Sequence, residues 1–139
     1  FRVSGGYGKE FLKAGFGQIG RKAMDDVEDG VDYVIEQGMV DKDNVAIYGG
    51  SHGGYAVLRG MTKTPEKYAC GVDYVGVSNL FTFMDTFPPY WEKYRALMEK
   101  IWFWKGRKPF RVVSSDDGLF CTTLKSRKNY TYKRIGSTI

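Results

Sequence analysis

Val45-Ala46-Ile47-Tyr48-Gly49-Gly50-Ser51-His52-Gly53-Gly54-Tyr55 is the stretch on which the reading of this 139-residue chain turns. Four apolar residues, preceded by the polar Asp41-Lys42-Asp43-Asn44 and followed by paired glycines, predict a short strand buried on both faces of a parallel sheet. Tyr55, Ala56, Val57, Leu58 and Arg59 then predict a helix over about 53–62. Between them, Gly49 to Gly53 spell G-x-S-x-G, the pattern of a sharp strand-to-helix turn that presents a serine hydroxyl above the sheet. Glycines two residues to either side leave room for the turn and for the helix to pass close under the strand. Three fixed letters arise by chance in roughly one chain in twenty of this length, so the strand and helix around them carry the argument. In such a corner Ser51 is the candidate nucleophile, and the backbone N–H of His52, at the positive end of the helix, is a candidate oxyanion donor.

Outward from this corner the pattern is that of an open α/β sheet. Met24, Val27, Val31, Val34 and Ile35 recur at helical spacing, with Asp25 and Asp26 near the start and Gly38 as a stop, predicting a helix over about 23–37. The run from Cys70 to Val77 predicts the next strand, which completes a parallel strand–helix–strand unit. Pro88-Pro89 precedes Trp91, Tyr94, Leu97, Met98, Ile101 and Trp102, the stripe of an amphipathic helix that Gly106 could end. The glycine-dense residues 1–20 predict a shaped loop, entered at Phe1 from what reads as the end of a strand, with Glu10 to Ala14 helical within it.

Two separated segments resemble one known family. Phe1-Arg2-Val3-Ser4-Gly5-Gly6-Tyr7-Gly8 is similar to the R-G-S-x-G-Y-G segment of prolyl oligopeptidase family serine peptidases, which is followed there, as here at Asp25-Asp26-Val27, by an acidic helix start. Asp41, Val45, Ala46, Ile47, Gly49, Ser51, Gly53, Gly54 and Tyr55 fall on the family's D-x-x-R/K-V-A-I-x-G-x-S-x-G-G-Y stretch. Val3 replaces a family glycine and Asn44 a usual basic residue. The resemblance covers roughly residues 1–103 and implies part of an α/β-hydrolase fold, a parallel sheet flanked by helices, acting on peptide bonds by acyl transfer. It further implies Ser51 as nucleophile, Tyr55 as a substrate contact, a peptide as substrate, and neither a cofactor nor a metal. A serine esterase, a non-catalytic hydrolase-like domain and a basic binding module are the rival readings.

A serine hydroxyl needs a base, and the single histidine of the chain, His52, leaves from the next helical position, where its ring cannot readily meet that hydroxyl in line. Asp116 and Asp117 are the acids that remain downstream, in what reads as a polar turn. Residues 1–100 hold 12 Lys or Arg against 14 Asp or Glu, whereas residues 101–139 hold 9 against 2, so all the basicity lies in the tail. Sustained periodicity also stops there. The expected division is therefore a partial catalytic domain over 1–104, the nucleophile half, and a divergent, poorly ordered basic tail over 105–139. The missing Met at Phe1 suggests an upstream segment, which leaves compartment and oligomeric state open.

Other signals are weak. Gly15-Phe16-Gly17-Gln18-Ile19-Gly20 matches a dinucleotide fingerprint but follows a helical segment rather than a strand, and Gly8-Lys9 lacks the spacing of a phosphate loop. Phe81, Phe83, Phe87, Tyr90 and Trp91 read as core packing ahead of a pocket, and Cys70 as a small buried hydrophobe. Cys70 and Cys121 have no zinc or disulfide-framework spacing, Asn129-Tyr130-Thr131 is a chance glycosylation triplet, no nucleic-acid partner is expected, and no run is long enough for a membrane span. Two explanations compete for the missing acid and base, a truncated domain and a tail read out of frame beyond about residue 104, and the abrupt change near Trp104 favours the second. Reading the two alternative frames of the coding DNA beyond Trp104 should then reveal a downstream Asp and His; their absence from both would exclude a frame slip.

Overall fold

The computed structural model describes residues 1–102, 119–123 and 132–135, and in it the apolar run before the paired glycines becomes strand β1, Ala46–Gly50. The described residues form two units, one from residues 1–30 and 79–102, the other from 31–78 with the two later strands.

In the second unit β1 pairs in parallel with β2, Cys70–Tyr74, in register from Ala46 opposite Cys70 to Gly50 opposite Tyr74. Helix α3, His52–Lys63, makes the crossover and lies against one face of the pair. It lies close because glycines permit it: a Cβ on Gly71 would come within 2.9 Å of Met61 Sδ, and one on Gly60 within 2.9 Å of Tyr68 Cε2. Val57, Met61 and Tyr68 form the buried centre, with Val31, Val45 and Ile47 packed around it. The other face is open among the described residues. Tyr48 is 74% exposed and Tyr74 53%, so the expected burial of β1 on both faces is not found, and Cys70 is half-buried rather than buried.

β2 ends at Tyr74, three residues before the predicted end, because Val75 turns to φ 47°, where a strand cannot continue. Two antiparallel strands extend the sheet in the order β1-β2-β3-β4: β3, Leu119–Thr123, beside β2, and β4, Tyr132–Ile135, beside β3. They fall where the sequence shows no sustained period, since runs of five and four residues are too short to register one. The other tail residues singled out above, including Gly106, Asp116 and Asp117, lie outside the described residues.

The first unit is helical. α1 is Lys9–Ala14, and α2, Lys22–Glu36, begins in this unit after the glycine-rich loop, ends within the second unit and stops before Gly38, whose φ of 67° suits glycine. Phe1 is not in a strand; its carbonyl accepts from the Ser4 N–H at 3.2 Å, starting a turn. A short helix that the periodicity did not predict, α4, Leu80–Asp85, is capped by Asn79 Oδ1, which accepts from the Phe81 N–H at 2.9 Å. Proline then opens a single 3₁₀ turn, Pro89–Trp91, ahead of α5, Glu92–Trp102. Ile19, Ala23, Met24, Leu80, Met84 and Trp102 are the buried apolar residues, and Phe83 stacks on Trp102 at 5.2 Å. Of the aromatic cluster read as core, Phe83 is partly buried in this way, whereas Tyr90, Phe81 and Trp91 are exposed.

Arg2 ties the loop to α2. Its guanidinium pairs with both carboxylate oxygens of Asp26, and its backbone N–H donates to Asp26 Oδ2 at 2.9 Å. The hydrogen bond from Arg2 holds the Asp26 carboxyl below its ordinary value against the opposing effect of burial. A carboxyl depressed in the folded state contributes stability above its unfolded pKa and loses it as pH falls through the folded one. Arg2→Ala should therefore unfold at lower denaturant than the parent at neutral pH. The difference should shrink as pH drops through the carboxylate range, below about pH 4, in urea titrations at successive pH values.

Candidate active site

Ser51 stands between the last residue of β1 and the first of α3, with φ 54° and ψ −113°. L-residues rarely occupy this region, and holding one there costs about 1–3 kcal/mol, so the surroundings must over-determine it. Three backbone hydrogen bonds do so. The Ser51 N–H donates to the Tyr74 carbonyl at 3.0 Å, while the Ser51 carbonyl accepts from the N–H groups of Tyr55 at 3.0 Å and Val77 at 3.4 Å. One end of the corner is thus pinned to its own helix and both ends to the turn that leaves β2. The Ser51 side chain makes no capping hydrogen bond to α3, and the residue is exposed.

The flanking glycines have separate steric reasons. A Cβ on Gly49 would lie 2.8 Å from Gly53 Cα and closer still to its carbonyl group, so Gly49 admits the first turn of α3 over β1. Gly53 itself faces open space. Gly54, outside the five-residue pattern, is the tighter position: a Cβ there would meet Gly76 Cα at 2.5 Å and collide with Asp73 Oδ1.

His52 opens α3, which places its N–H beside the Ser51 corner at the positive end of a 12-residue helix. Its ring stacks toward Tyr55, 6.2 Å between centroids at 27°, and burial lowers its pKa, favouring the neutral imidazole. Tyr55 is 1% exposed, and its hydroxyl finds no hydrogen-bond partner among the described residues. Burial pushes that hydroxyl up, with Arg59 opposing. Tyr55, expected from the family resemblance as a substrate contact, occupies this buried position. Asp73, Val75 and Gly76 were not singled out from sequence. The available signal was an acid in the middle of the apolar run from Gly71 to Val77. Among the described residues no three His, Cys, Asp or Glu side chains gather to hold a metal, and no helix is long and apolar enough to cross a membrane.

The sequence profile of the prolyl oligopeptidase family matches residues 1–118. This chain belongs to the prolyl oligopeptidase family. It is 52% identical over 100 residues to dipeptidyl aminopeptidase BIII of Pseudoxanthomonas mexicana, an alignment that covers 72% of this chain and 14% of that protein. It is 45% identical over 101 residues to dipeptidyl peptidase family member 6 of Caenorhabditis elegans, covering 73% and 14%. Acylamino-acid-releasing enzyme 1 of Oryza sativa subsp. japonica is 34% identical over 86 residues, covering 62% and 11%. Among solved structures, a puromycin-hydrolyzing peptidase of Mycobacterium tuberculosis superposes with a TM-score of 0.64 at 26% identity, covering 74% of this chain and 16% of that one. The chain thus spans about one seventh of the length of the curated relatives it matches, and its fold is that part of an α/β hydrolase which carries the serine corner.

The glycine geometry makes a prediction that reverses the weight of the motif. Gly54→Ala should destabilise the chain by about 1–3 kcal/mol, because backbone and a buried carboxyl must move aside. Gly53→Ala should be neutral or stabilising by up to about 1 kcal/mol, through helix propensity alone. Urea unfolding of the two variants beside the parent reads both.

Proposed function

We propose that this chain carries the nucleophile of a serine peptidase that cleaves peptide bonds by acyl transfer. The observation that carries the reading is the Ser51 corner itself, a strained, exposed serine pinned by three backbone hydrogen bonds at the head of a parallel strand pair in a member of this family. Ser51 Oγ attacks the peptide carbonyl carbon, and the backbone N–H of His52 stabilises the negative charge that develops on the carbonyl oxygen. The leaving amine takes a proton, an ester to Ser51 remains, and water then releases the acyl group and restores the hydroxyl. The relatives are named as dipeptidyl and acylamino-acid-releasing enzymes, which supports a peptide as the substrate.

Proton transfer needs a histidine positioned by a carboxylate. The His52 ring turns toward Tyr55, so in this reading the base and its acid are residues other than the described ones. The oxyanion donor and the exposed hydroxyl by themselves leave only residual reactivity. A fluorophosphonate probe should accordingly label the 139-residue chain slowly at residue 51. Ser51→Ala should abolish the adduct in peptide mapping, and added imidazole, as an external base, should accelerate labelling several-fold. Labelling that survives Ser51→Ala, or none even with imidazole, would overturn the assignment.

A further inference from the structure

What holds Ser51 in place is a turn that is itself strained. Two of the three backbone bonds to Ser51 come from the segment Tyr74–Val77, in which Val75 sits at φ 47°. A β-branched residue there is a genuine outlier, more demanding than the serine it faces. The Val75 side chain is exposed, so burial of its own methyl groups does not secure the turn.

One side chain fills the seam between this turn and α3. Asp73 is 1% exposed, and its Oδ1 lies against both Gly54, in the first turn of α3, and Gly76, in the turn. The two glycine backbones approach so closely that a Cβ on Gly76 would lie 2.7 Å from the Gly54 carbonyl carbon. Neither carboxyl oxygen completes a hydrogen bond by geometry among the described residues. An acid buried in this way is costly for a position that only fills volume, since alanine or another small apolar side chain would occupy it without desolvating a carboxyl.

We propose that Asp73 is a positioning residue: its carboxyl, wedged between Gly54 and Gly76, holds the Tyr74–Val77 turn against the first turn of α3 and so keeps Ser51 in its presented conformation. Burial also raises the Asp73 pKa, with the Gly76 N–H opposing. The catalytic meaning of this wedge rests on Ser51 being the nucleophile, whereas the wedge itself is testable without any chemistry at Ser51.

Native-state hydrogen exchange on the full 139-residue chain reads it directly, at the Ser51 and Val77 amides that close the clasp. Asp73→Ala should lower their protection at least about tenfold beyond any change at Val57 and Met61, which report the core of α3. Asp73→Asn, equal in shape and polar, should keep protection within about threefold. Val75→Gly removes the demanding φ, so in that background the loss caused by Asp73→Ala should shrink, a coupling that mere core filling would not produce. Should Asp73→Ala fail to fold, the double variant with Val75→Gly is compared with Val75→Gly and Asp73→Asn instead. Ser51 and Val77 changing no more than Val57 and Met61, Asp73→Asn behaving like Asp73→Ala, or the absence of coupling to Val75 would each overturn the proposal. Fluorophosphonate labelling of the same variants separates the two readings: loss of the clasp with no Ser51 adduct in the parent would leave the wedge standing and the nucleophile refuted.

Discussion

The hydrogen bond from the Ser51 N–H to the Tyr74 carbonyl is the constraint on which the rest of this structure depends. It joins the carboxyl ends of two parallel strands just where each gives way to other structure, β1 to a helix and β2 to a turn. Without it, φ 54° at Ser51 would relax toward an ordinary conformation, and the serine would become one more residue of a helix start. The parallel register places Gly50 opposite Tyr74 and brings the two ends level, so the sheet supplies the partner that the corner needs.

Close backbone approach is the second requirement, and it spreads well beyond the residues usually read as a motif. Gly49 admits the first turn of α3, Gly54 and Gly76 meet around the Asp73 carboxyl, and Gly60 and Gly71 let the rest of α3 settle on Tyr68 and the sheet. At each of these positions a methyl group would have to displace backbone or a buried side chain, and tightly packed interiors yield little to such insertions. Helix α3 is therefore fixed along its whole length, and its positive end is held beside Ser51. Membership of the prolyl oligopeptidase family and this local architecture agree, although the chain spans only a small share of its relatives' length.

Much of this was legible in the order of residues because it is local. A strand, a glycine corner and a helix announce themselves within a dozen positions, and the helical spacing from Met24 to Ile35 needs no partner to be recognised. Short elements escaped for the opposite reason. α4 has six residues and is set by the Asn79 cap, while β3 and β4 are defined by pairing to β2 and to each other, which no period in a run of four or five residues reveals. Burial was the least legible property: β1 was expected to be covered on both faces, yet Tyr48 is open, and Cys70 was expected to be buried, yet it is only half-buried.

The amino-acid order alone determined that a serine would stand at a glycine-lined turn between a strand and a helix, since steric freedom and helix propensity act within a few residues. Only the tertiary structure decided what holds that serine there. The Tyr74–Val77 turn, the outlying φ of Val75 and the Asp73 carboxyl pressed between Gly54 and Gly76 lie some 20 residues further along the chain. Their role comes from contacts that exist only once two strands have paired, and no spacing along a sequence encodes how closely two backbones will meet.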